Sequence, residues 1–252
     1  MKTVLECRDL QKDFDGITVL KDIDLTVQKG EFVAIMGHSG SGKSTLLYAI
    51  SGMDQPTAGQ VLIGEEDLSQ MKDEEISQVR LKKMGFIFQH SHLLKKLSIR
   101  DNVVLPGLKA SKDKGEREKA CLRGEELLKK TGIEAIADQD IKKVSGGQLQ
   151  RAAICRALIN EPEILFGDEP TGALNSRAAK EIMDILNDIN REGTTIILVT
   201  HDMKVAARAD RILFIQDGII HDQLDIGKYP GQEEALPGRE KQVWTWLEQK
   251  GF

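Results

Sequence analysis

Gly37-His38-Ser39-Gly40-Ser41-Gly42-Lys43-Ser44-Thr45 is the stretch from which the rest of the chain can be read. It matches G-x-x-x-x-G-K-[ST], a spacing in which glycines let the backbone fold tightly and aim its N–H groups inward. Lys43 places a point charge beside those amides, and the Ser44 hydroxyl is of the kind that ligates Mg²⁺. Glu31-Phe32-Val33-Ala34-Ile35-Met36, just before, reads as a short buried strand. Thr45-Leu46-Leu47-Tyr48-Ala49-Ile50, just after, reads as a helix whose N-terminus faces the anion. Alone, this loop predicts a nucleoside triphosphate and nothing narrower.

A second anion-reading feature lies further along. Ser145 is a natural N-cap for a helix that opens with Gly146, Gly147 and Gln148, continues to about Ile159 and is stopped by Glu161-Pro162. A hydroxyl, glycine amides and a positive helix end form an anion site without a lysine. Two such helix ends on one chain make sense if each completes the other's site across a dimer. At this point the sequence resembles the ATP-binding subunits of ABC transporters. Their signature Leu-Ser-Gly-Gly-Gln stands here as Val144-Ser145-Gly146-Gly147-Gln148, and the valine keeps the first position apolar.

The family's other motifs follow in order. Ile164-Leu165-Phe166-Gly167-Asp168-Glu169 is an apolar strand ending in two carboxylates. The resemblance implies that Asp168 holds Mg²⁺ and that Glu169 polarises the attacking water. Gln89, after Gly85-Phe86-Ile87-Phe88, matches the glutamine that senses the metal and the γ-phosphate. His201 closes the buried strand Thr194–Thr200 and matches the switch histidine; active groups in open parallel sheets collect at such strand ends. Phe14 lies where the family stacks an aromatic on adenine. Gly172-Ala173-Leu174-Asn175 matches the loop that crosses to the second copy, with Asn175 in place of the usual Asp. Catalysis would rest on Glu169, His201 and Lys43, and the cofactors implied are ATP and Mg²⁺.

The same resemblance implies an α/β fold. It consists of a P-loop NTPase parallel-sheet core with an N-terminal antiparallel β part and an inserted all-helical subdomain. It covers residues 1 to 222, with the helical subdomain at roughly 90–160, and leaves 223–252 as an extension. Alternation of apolar strands with helical stretches independently argues for a parallel sheet in one large domain.

Each residue also has a plainer reading. Asp-Glu at a strand end can be a solvated turn, a histidine after a strand a surface residue, Phe14 a core residue, and Ser-Gly-Gly a turn. His90 and His92, with no third ligand, read as polar loop residues beside Gln89 before they read as a metal pair. The charged run Lys109–Lys119 reads as a solvated helix face, followed by Leu122, Leu127, Leu128 and Ile133 at helical spacing. Tyr229-Pro230-Gly231 and Pro237-Gly238 punctuate a loop before a short amphipathic helix, Arg239–Lys250, with Val243, Trp246 and Leu247 on one face. That helix either contacts a second chain or folds back on its own core.

The formal net charge is −5 and there is no basic arm, so no nucleic-acid partner is expected. Cys7, Cys121 and Cys155 lack metal-ligand spacing, and Cys155 inside the signature helix reads as packing. No signal peptide is evident and no apolar run reaches the roughly 18 to 20 residues that cross a bilayer. The expected setting is cytoplasmic, peripheral on the inner face of the membrane through a separate permease.

Met53–Gly59, Gly85–Gln89 and Phe166–Ser176 are similar to one branch of the family. It includes macrolide exporters, lipoprotein-releasing complexes, the cell-division ABC ATPase and bacitracin-type peptide-resistance pumps, the last being the most similar. The function expected is therefore ATP hydrolysis powering a permease for antimicrobial-peptide resistance. The alternatives are lipoprotein release, macrolide efflux, or a division-type switch that transports nothing.

Overall fold

Alternating apolar and polar residues at the start of the chain form β1 (Thr3–Phe14) and β2 (Ile17–Gln28), paired antiparallel. Asp15 and Gly16 turn between them at φ 50° and 80°, the hand of twist that two-residue hairpins prefer. In this computed structural model, which describes residues 2–251, β3 (Phe32–Met36) is buried along its whole length, as central parallel strands are. α1 (Lys43–Ile50) follows the glycine-rich loop. β4 (Ala58–Ile63) pairs with β1 and β5 (Glu66–Asp67) with β4, giving an antiparallel sheet of order β2-β1-β4-β5.

Beyond α2 (Asp73–Lys83) come β6 (Met84–Phe88), then α3 (Ile99–Ala110), α4 (Lys114–Lys130) and α5 (Gly146–Leu158). β7 (Ile164–Asp168), α6 (Ser176–Arg191), β8 (Thr195–Val199) and the single turn α7 (Met203–Ala206) lead to the antiparallel pair β9 (Arg211–Gln216) and β10 (Ile219–Asp225). α8 (Leu236–Glu248) ends the described chain.

The chain divides into two compact units, one comprising residues up to Ile76 and from Asn187, the other Ser77–Leu186. The first holds the antiparallel sheet and the strands β10-β9-β3-β8, with β3 parallel to both β8 and β9. The second holds the parallel pair β6 and β7 with helices α3, α4 and α5. The fold is the expected one: a parallel-sheet core with helices and an antiparallel N-terminal sheet. No helix among the described residues is long and apolar enough to cross a membrane.

Three local readings differ. Leu122 is exposed whereas Leu127 and Leu128 are buried, because on a period of about 3.6 residues it lies out of phase with them. α4 also stops at Lys130, so buried Ile133 lies beyond it rather than on its stripe. Pro237 and Gly238 belong to the first turn of α8 rather than to a loop; proline's fixed φ suits that position and its missing N–H costs nothing there.

Candidate functional site

In the first unit the register of β3 sets the phosphate loop. Met36 pairs with Phe214 of β9, so Gly37 emerges beside Ile215, and a Cβ on Gly37 would collide with the Ile215 carbonyl. Gly37 has φ 152°, Gly40 79° and Gly42 100°, so the loop depends on glycine at these turns. Lys43 is buried, and its ammonium donates to the carbonyls of Gly37 (2.9 Å) and His38 (2.7 Å). Those carbonyls hold the charge at the loop's centre. The Ser41 hydroxyl is buried with no hydrogen-bond partner among the described residues, an orphaned polar group 2.8 Å from where a Cβ on Gly37 would stand. Ser39 and Gly40 are exposed, and Ser44 and Thr45 lie half-buried in the first turn of α1.

The far side of the loop is braced by the β9–β10 turn. Gly218 N–H donates to the Ser41 carbonyl (3.2 Å), and the Gly218 carbonyl accepts from Lys21 N–H (2.9 Å). On the other flank of β3, Ile35 pairs with Val199 of β8 and its carbonyl accepts from Thr200 N–H (3.1 Å). His201 therefore leaves its strand beside the point where the phosphate loop begins, and it is exposed. Asp202 caps α7 by accepting from Lys204 N–H (2.8 Å). Phe14 pairs with Ile17 at the tip of the first hairpin; both are exposed, and Lys12 Nζ sits 4.8 Å from the Phe14 ring.

In the second unit Phe88 of β6 pairs with Asp168 of β7, so Gln89 and Glu169 leave their strands side by side. Glu169 has φ 48°, left-handed for a non-glycine residue, and its carbonyl accepts from Gly172 N–H (3.0 Å). Gln89 is exposed, while Asp168 and Glu169 are half-buried. Arg156 of α5 donates to the carbonyls of Ser91 (2.8 Å) and His92 (2.8 Å), pinning the loop after Gln89. The rings of His90 and His92 stand edge to face at 6.4 Å, with His92 also edge-on to Phe88.

Sequence reading missed Gln150. It is 2% exposed, and its amide donates to the carbonyls of Phe88 (2.9 Å) and Pro170 (2.8 Å), one beside Gln89 and the other beside Glu169. The signal was there: a polar residue on the apolar face shared by Ala153, Ile154 and Leu158.

Ser145 heads α5 in a complete capping box. Its hydroxyl accepts from Gln148 N–H (3.4 Å), and the Gln148 side-chain carbonyl accepts from Ser145 N–H (2.9 Å). The Gln148 side chain is thus turned back on its own helix start. Beside it lies a cavity of about 430 Å³ lined by Ser145, Gly146, Gly147, Arg151, Asn175 and Glu181. Arg151 donates to Glu181 (2.6 Å), and with Arg177 it holds that carboxyl below its usual pKa. Asn175 Oδ1 accepts from Ala178 N–H (2.9 Å), starting α6. Cys7 and Cys155 are buried, which pushes both thiols up to about 12 and keeps them inert packing groups.

A family model described as ABC transporter matches residues 20–172. The macrolide export ATP-binding/permease protein MacB of Shewanella sp. strain ANA-3 is 46% identical over 213 residues, which are 84% of this chain and 32% of that protein. The chain thus spans about a third of the length of such relatives. The ABC transporter ATP-binding protein YvrO of Bacillus subtilis strain 168 is 45% identical over 204 residues, 81% of this chain and 88% of that one. Among solved structures, the ATP-binding cassette MJ0796, a dimer bound to ADP and Pi in a post-hydrolysis state, superposes with TM-score 0.81 at 36% identity, covering 89% of this chain and all of that one. The cbiO1 protein of Clostridium perfringens, part of the transporter complex cbiONQ, gives TM-score 0.81 at 29% identity over 100% of this chain and 98% of that one. The chain belongs to the ABC transporter family and carries that family's ATP-binding, ATP-hydrolysing domain.

Proposed function

We propose that this chain is the ATPase subunit of a membrane transport complex and works as a head-to-tail pair of copies. The observation that carries this reading is the presence of two anion-directed helix starts in different compact units. One is centred on buried Lys43, the other on capped Ser145. In the proposed pair, Gly37–Thr45 of one copy holds the phosphates of ATP and Ser145, Gly146 and Gly147 of the other cap them. Gln148 fixes that helix start, Asn175 lies at the seam between copies, and Phe14 stacks on adenine. The ATPase domain would run over residues 1–222, with the helical insert at roughly 90–160 and the rest as an extension.

Lys43 exchanges its two carbonyl partners for β/γ-phosphate oxygens. Ser44, Asp168 and the Gln89 side-chain carbonyl offer oxygen donors, the hard set that Mg²⁺ takes together with phosphate and water. Mg²⁺, when bound, neutralises charge on the phosphates. Glu169 orients water for in-line attack, and His201 stabilises charge on the transferring phosphoryl. Gln89 passes the change to the helical insert, where exposed Leu94 and the His92 loop would meet a permease at the inner face of the membrane.

The cargo proposed is an antimicrobial peptide. A second reading, macrolide efflux, is supported by the 46% identity to a macrolide export protein. A strain carrying Glu169→Gln separates them by which drug class it becomes sensitive to. In the purified protein, Glu169→Gln should keep ATP binding, cut turnover by about 10²- to 10⁴-fold and accumulate as an ATP-bound dimer on size exclusion. Turnover at the wild-type rate would remove Glu169 from its role.

A further inference from the structure

The C-terminal helix α8 carries both tryptophans of the chain, and it is tied to two segments that the nucleotide chemistry uses. Arg239 lies near its start. Nε donates to the Ala207 carbonyl (2.6 Å), Nη2 to Ala209 (2.5 Å) and Gly227 (2.9 Å), and Nη1 to Ile226 (2.9 Å). The Tyr229 ring lies 5.7 Å from the guanidinium carbon. A planar fork of donors spent on main-chain carbonyls works as a fastening for backbone. Ala207 and Ala209 close the turn that Asp202 opens, directly after His201.

Near its other end α8 reaches the phosphate loop through two rings. Trp246 meets Phe214 edge to face at 6.1 Å and 81°, and Phe214 meets His38 edge to face at 6.0 Å and 81°. Phe214 is fully buried and lies opposite Met36 in the strand register, directly below the loop. The Trp246 ring is itself fixed, since Nε1 donates to Asp222 (3.2 Å), which also pairs with Lys250. Trp244, by contrast, is exposed.

We infer that α8 is a clamp with two anchors, Trp246 positioning the phosphate loop through Phe214 and His38, and Arg239 positioning the switch-histidine segment through Ala207 and Ala209. Both are positioning residues, and the inference rests on the roles given above to Gly37–Thr45 and His201. The anchors are separable. Loosening the first should weaken nucleotide binding, and loosening the second should slow turnover.

The test uses the full chain. Trp244→Phe should retain wild-type kcat and KM and leave Trp246 as the sole indole emitter. Titration of that protein with MgADP should change Trp246 emission, saturating in step with binding measured by calorimetry, and adding Phe214→Leu should shrink the change. Trp246→Leu should raise KM for ATP by about two- to tenfold, the worth of one aromatic edge contact, with kcat affected less; Trp246→Phe should recover most of it. Arg239→Lys should lower kcat with KM near wild type, because one ammonium cannot replace the fork. MgADP that binds while Trp246 stays silent overturns the clamp alone, as do Trp246→Leu and Arg239→Lys proteins that keep both constants. A fall in the apparent kcat of Arg239→Lys no larger than its unfolded fraction by circular dichroism also overturns it, because unfolding removes active enzyme and leaves KM unchanged. Failure of the Trp244→Phe protein and the wild type to bind MgADP at all takes down the phosphate-loop assignment with it.

Discussion

Gln89 and Glu169 converge on Gly172: a Cβ placed there would lie 2.9 Å from Gln89 Nε2 and 3.1 Å from Glu169 Oε2. Both contacts are tighter than side chains normally tolerate, so the Gln89 amide and the proposed base Glu169 are spaced by the absence of a side chain between them. Gly172 does not use a glycine-specific backbone angle, since its φ lies outside the left-handed range. Gly172→Ala should therefore fold normally and fail in chemistry. Turnover should drop by about 10- to 100-fold, the scale of misplacing a reacting group by an ångström, while ATP binding to Lys43's loop holds. Calorimetric ATP affinity beside steady-state kcat checks this, and unchanged kcat would show that neither group needs its present place.

Gln150 supports the same pair from beneath. Gln150→Leu keeps the volume but leaves the Phe88 and Pro170 carbonyls without their buried donor, which costs about 1–3 kcal/mol for each unpaired group. The expected result is a lower urea midpoint and slower turnover. Wild-type turnover in a destabilised Gln150→Leu protein would make the residue a purely structural one.

Short motifs were legible because their chemistry is local. Glycine spacing fixes the loop around Lys43, a serine before a helix announces a cap, and a strand ending in Asp168-Glu169 declares its carboxylates. The parallel core was legible too, since β3 is apolar throughout and β8 is apolar from Ile196 to Val199. Gln150, Arg156 and Arg239 escaped because each works on main-chain carbonyls far away in sequence, and no residue pattern marks a carbonyl as needing a donor. The tail helix was visible by its period, but its direction was not. Whether it faced a second chain or its own unit turned on Arg239 finding carbonyls just before β9 and just after β10, and on Trp246 finding Phe214 within β9.

The attachment of α8 should weaken in acid. The Lys250 ammonium, foremost, and the Trp246 N–H hold the Asp222 carboxyl below its ordinary value of 3.8. A depressed folded-state pKa stabilises fully above the ordinary value and is lost as pH falls through the lowered one. Trp246 emission in the Trp244→Phe protein should thus be flat from neutrality down to about pH 4 and change below it. In Asp222→Asn that acid step should vanish; a step of equal size in both proteins would assign it to another carboxylate.

The composite site is tested most directly by mixing two crippled proteins. Lys43→Ala lacks a working phosphate loop and Ser145→Arg blocks the capping helix start, so neither can build a complete site alone. In an equimolar mixture, random pairing should restore about a quarter of wild-type ATPase, from heterodimers with one intact site each. Recovery near that level is expected if the two helix starts share one ATP between copies. No recovery on mixing, or full ATPase from Ser145→Arg by itself, would contradict it.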